Sequence, residues 1–81
     1  MNTLIDTPIS ARHVNGTILV TLESGMEFHF PCSAYPRLAS ASEKERSNIE
    51  ISPLGLHWPD LDEDLSIRGL LREHGKSAQK S

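Results

Sequence analysis

Thr17-Ile18-Leu19-Val20-Thr21-Leu22-Glu23-Ser24-Gly25-Met26-Glu27-Phe28-His29-Phe30-Pro31 is the stretch that decides the fold. Ile18, Val20 and Leu22 alternate with Thr17, Leu19 and Thr21; after Glu23-Ser24-Gly25, Met26, Phe28 and Phe30 alternate with Glu27 and His29. A period of two with β-branched and aromatic residues suits a half-buried pleated strand. Gly25 supplies the positive φ that a tight connection needs, so the stretch reads as a β-hairpin. Upstream, Ile9 to Val14 is a weaker strand that ends at Asn15-Gly16, a strong short hairpin signal. The result is a three-stranded antiparallel meander with one buried face, closed by Pro31.

Beyond Pro31 the pattern shortens. Ser33 to Ala39 reads as a short helical turn presenting Tyr35 and Leu38, and Ser42-Glu43-Lys44-Glu45 fits a capping box. Ser47-Asn48 ends that helix. Asn48 to Ile51 then alternates as a fourth strand with Ile49 and Ile51 inward, and Leu56-His57-Trp58 reads as a fifth. Ser66 is an N-cap for a last helix, with Ile67, Leu70 and Leu71 on one face. Asp62, Glu63 and Asp64 precede its positive end, Arg72 and His74 lie in its last turn, and Gly75 ends it. The expected class is α+β: a small antiparallel meander of three main strands, with one or two short ones, packed by short helices including a C-terminal one. Residues 1–74 form one domain and 75–81 a flexible tail.

Composition narrows the function. In 81 residues there is room for one thin core, burying about 60–65% of the unfolded surface. Eleven acidic against eight basic residues give a net charge of −3, which argues against nucleic-acid binding driven by phosphate contacts. No apolar run approaches the roughly 18 residues of a membrane span, and the first residues lack a basic n-region. A cytoplasmic protein is expected, and the single cysteine agrees with a reducing compartment.

His57-Trp58-Pro59-Asp60-Leu61-Asp62-Glu63-Asp64-Leu65 concentrates four acids and the one tryptophan in nine positions. Asp60, Asp62 and Asp64 imitate the opening of a calcium loop, but Leu65 and Leu71 stand where that loop needs Gly and a bidentate Glu. A solvated acidic rim is the simpler reading, and no metal or other cofactor is expected. Trp58 reads first as a core plug and second as a contact residue. Arg37 reads as a clamp, bidentate to a carboxylate of the acidic run. His29 with Cys32 is the least implausible nucleophilic pair, though nothing in the sequence supplies an orienting group, and a small buried apolar Cys32 is the simpler account.

At Phe30-Pro31, Ala34-Tyr35-Pro36-Arg37-Leu38, Ser42 to Asn48, and His57 to Ile67 with Gly69-Leu70-Leu71, the chain resembles the bacterial domain of unknown function DUF2442. The likeness spans roughly residues 8 to 73. It implies a compact α+β domain, and stand-alone members neighbour another small gene in an arrangement similar to toxin–antitoxin pairs. No catalytic residue carries over. Ala34, Ser24 and Ile49 depart from an aromatic, Asp and Trp of the family pattern, which thins the aromatic surface.

Together these readings point to a non-enzymatic protein-interaction or regulatory domain, antitoxin-like in its sharpest form. Its candidate surface is Tyr35, Arg37, His57, Trp58, Asp60, Asp62, Glu63 and Asp64. The expected partner is a small basic protein encoded by a neighbouring gene, and open sheet edges favour a homodimer. The alternatives are a transcription-related or nucleic-acid-associated accessory protein, and a small enzyme with an unrecognised site.

Overall fold

A computed structural model that describes residues 6–75 and 79–80 holds, among those residues, seven strands and three short α-helices. Strands β1 (Pro8–Val14), β2 (Thr17–Leu22) and β3 (Met26–Pro31) form the expected meander. Asn15 (φ 49) and Gly16 (φ 80) both take the left-handed conformation that the first connection demands, and Gly25 (φ 94) does so in the second. Ile18 lies opposite Phe30 and Val20 opposite Phe28, and these four side chains form one continuous buried apolar surface. A bulge beside Pro8 leaves Ile9 exposed.

A 3₁₀ turn (Cys32–Ala34) leads to α1 (Pro36–Ala39) and α2 (Glu43–Ser47). The capping box is complete: Glu45 N–H donates to Ser42 Oγ at 3.1 Å, and Ser42 N–H to Glu45 Oε1 at 2.9 Å. Arg46 fastens the two helices by donating to the carbonyls of Leu38 (2.8 Å) and Ala39 (2.9 Å).

The later strands build a second sheet, in the order β4 (Glu50–Ser52), β5 (Gly55–Trp58), β6 (Glu63–Ser66); the sequence pattern announces the first two, within a residue or two, but neither β6 nor the separate sheet. The sequence places Asp62, Glu63 and Asp64 as charges ahead of a helix; the structure makes Glu63 and Asp64 strand residues. Ladder bonds to β5 override the poor β-propensity of acids. Ile51 is a second correction. It lies opposite buried Leu56 yet stays 41% exposed, because β4 is an edge strand reaching past the core. Ile49 is half-buried against the core, as expected.

Helix α3 (Ile67–His74) begins without a loop from β6. Ser66 accepts from the Gly69 N–H at 3.0 Å, and Ile67 N–H donates to Leu54 O at 2.9 Å, pinning the helix to the β4–β5 turn. Ile67 and Leu70 close one hydrophobic cluster that joins both sheets to Leu38 and Cys32. Gly75 ends α3 with φ −61 in the right-handed region. Of the expected flexible tail over 75–81, residues 76–78 and 81 lie outside the described residues, and Gln79–Lys80 (β7) pair with Glu27 and Met26 at the β3 edge. No described helix is long and apolar enough to cross a membrane.

Candidate functional site

The β5–β6 hairpin turns through Pro59, Asp60, Leu61 and Asp62. Leu61 N–H donates to Trp58 O at 3.1 Å, and Asp62 takes φ 51, a left-handed conformation that a short polar side chain tolerates. The register then sorts the side chains by face. Trp58 lies opposite Glu63 on the core side, and His57 opposite Asp64 on the outer side. Trp58 is 0% exposed, and its indole Nε1 donates to Arg46 O at 3.0 Å. It is therefore struck from the candidate surface: the indole fills the core, where its one donor finds a carbonyl.

Around it the acids separate into distinct environments. Asp60 accepts from Asn48 Nδ2 at 3.0 Å. Asp64, 78% exposed in its side chain, meets His57 Nδ1 at 2.7 Å, and Glu50 flanks the same histidine on β4. Arg37 does clamp the mid-chain turn to the acidic hairpin, but not through a carboxylate. Its Nη1 donates to Asp62 O at 2.6 Å and Leu61 O at 3.4 Å, the carbonyls that the tight turn points outward. Among the described residues, no lysine or arginine comes within 4.0 Å of an Asp or Glu carboxylate oxygen. Among the described residues, the rim's carboxylates are thus partnered by His57 and Asn48 and by no Lys or Arg.

Tyr35 sits in a third setting. Its hydroxyl donates to Glu73 Oε1 at 2.9 Å and, with that proton committed, accepts from His74 Nε2 at 2.8 Å. Phe30 packs edge-on to the phenol at 5.6 Å and against the His74 ring at 5.4 Å. Burial, the Glu73 hydrogen bond and the charges of Glu73 and Glu63 push the phenol up to about 12. Sequence reading misses Glu50, Asn48, Glu73 and His74 as members of these groups. Each joins through a contact distant along the chain, so no local signal marks it.

The nucleophilic pair is not assembled. His29 is on the outer face of the first sheet, opposite Leu19, whereas Cys32 is in the core. Burial raises the Cys32 thiol, against the opposing charge of Arg46. Ser52 exchanges hydrogen bonds with the Gly55 backbone, and Ser66 caps α3, so both serines near the His57–Asp64 pair are engaged. Among the described residues, no group of three His, Cys, Asp or Glu is placed to hold a metal ion.

The family model "Protein of unknown function (DUF2442)" matches residues 8–75, most of the chain. The chain belongs to the DUF2442 family. The expected resemblance thus holds, from β1 to the end of α3. This DUF2442 domain is also similar to a crystal structure of a protein of unknown function from Rhodospirillum rubrum, with 35% identity and a TM-score of 0.78. That match covers 84% of this chain and 87% of the other. No curated protein matches it.

Proposed function

We propose that this DUF2442 domain is a non-enzymatic protein-interaction module that engages a basic partner through the acidic rim of the β5–β6 hairpin. The observation that carries the reading is the unpaired charge: the carboxylates of Asp60, Asp62, Glu63 and Asp64 meet no Lys or Arg within 4.0 Å among the described residues, and the nearby Arg37 gives its Nη1 to the Leu61 and Asp62 carbonyls. Such a surface steers a cationic partner and raises the rate of encounter, an effect that salt screens. An antitoxin-like role, holding a basic protein encoded beside it, is the sharpest form of the reading and draws on the gene arrangement that the family likeness implies.

The test is affinity capture on the wild type and on the triple variant Asp60→Asn, Asp62→Asn, Glu63→Gln, followed by association kinetics with the captured protein across a salt series. The expected result is slower association and a shallower salt dependence in the variant. Equal rates and equal salt slopes would refute the acidic-rim reading.

A further inference from the structure

On the second sheet, beside the His57–Asp64 pair, lies a groove of about 210 Å³ lined by Ser52, Leu54, Gly55, Leu56, Leu65 and Ser66 as well as that pair. Gly55 lines it without a side chain: a Cβ there would stand 2.4 Å from Leu65 O, so the β6 backbone already fills that space and β5 lies directly on β6. Leu54, 63% exposed, stands at the groove, held by its carbonyl's hydrogen bond from Ile67 N–H. An apolar cavity of roughly 150 Å³ accepts a benzene-sized group, so the groove has room for one aliphatic or aromatic side chain.

Two carboxylates lie beside the groove: Glu50 and Asp64 flank His57 in a cross-strand row on the outer face. Glu50 and Asp64 give the row carboxylate acceptors, suited to a guanidinium or ammonium. The same charges disfavour a second copy on this face, because a two-fold contact would bring Glu50 and Asp64 against their equivalents.

We propose that this groove docks an extended segment of a partner protein in which an apolar side chain lies beside Leu54 and Leu65 and an adjacent Arg or Lys lies against Asp64. The proposal rests on the protein-interaction reading above and gives that partner its chemistry. It is tested by titrating the labelled full chain with a synthetic peptide of alternating leucine and arginine, following backbone amide resonances. Leucine–glutamate and serine–arginine peptides serve as controls. Shifts are expected at Leu54–His57 and Asp64–Ser66, with affinity falling about tenfold in Leu54→Ser and in Asp64→Asn and weaker binding of both controls. Perturbation centred elsewhere, such as around Leu19 and His29, overturns the proposal, as does equal affinity for the leucine–glutamate peptide or concentration-dependent self-association through this face. If Leu54→Ser binds unchanged while the Asp60, Asp62, Glu63 triple variant loses binding, the groove is wrong and the acidic rim stands. If neither variant changes binding of the peptide, both readings fall.

Discussion

Tyr35 is the one tyrosine of the chain, so its titration is read directly from phenolate absorbance. Wedged between Phe30, His74 and Glu73, the phenol keeps its proton to about pH 12 in the folded state, against 10.0 for an ordinary tyrosine. The folded state thus binds more protons than the unfolded one between those values. Tyr35 contributes stability that is whole below pH 10 and is lost as pH rises towards 12. Absorbance titration is expected to show a midpoint near 12 in the native protein, and denaturation on either side of pH 10 to show falling stability. Tyr35→Phe is expected to flatten that alkaline fall. A native midpoint at the ordinary value would contradict the cluster.

At the scale of elements, the β5–β6 hairpin depends on one residue without a side chain. Gly55→Ala drives a Cβ into Leu65 O at 2.4 Å and against Ser66 Cα at 3.2 Å, both backbone atoms that cannot swing away. Destabilisation of about 1–3 kcal/mol is expected, measured as a lowered denaturation midpoint. Gly75→Ala is the matched control. An added Cβ there meets nothing within 4 Å, and φ −61 suits any residue, so stability should stay level or rise by about 0.4–1 kcal/mol. The Arg37 clamp belongs to the same scale. It secures the hairpin turn by satisfying carbonyls and leaves the neighbouring carboxylates available, so a structural cation and an acidic surface coexist.

Over the whole molecule, the two sheets share one core. Trp58 from β5 and Cys32 from the turn after β3 belong to the same buried cluster, together with Ile67 and Leu70 of α3. The sheets should therefore unfold together. Tryptophan fluorescence reports the second sheet and labelling of the single thiol reports the first, and the two are expected to change at the same denaturant concentration. Because burial raises the Cys32 pKa, the native thiol should also react sluggishly at neutral pH until unfolding frees it. Two separate transitions would show that the sheets are independent units.

Much of this was legible before folding. Alternation over Thr17–Pro31, the Asn15-Gly16 turn, the Ser42 capping box and the Ser66 cap are local: each needs only a few neighbours and a preferred backbone geometry, so the amino-acid order alone determined them. The candidate surface was half legible. The acids could be read as a rim, but whether Trp58 joined them depended on strand register, and a shift of one residue would exchange it with His57 across the sheet. Tertiary structure alone decided that Glu63–Ser66 would be a strand, that Arg37 would bind carbonyls, and that Tyr35 would meet Glu73 and His74. Each of those outcomes depends on groups brought together from afar by hydrophobic closure of the core, and no short stretch of chain encodes such a meeting.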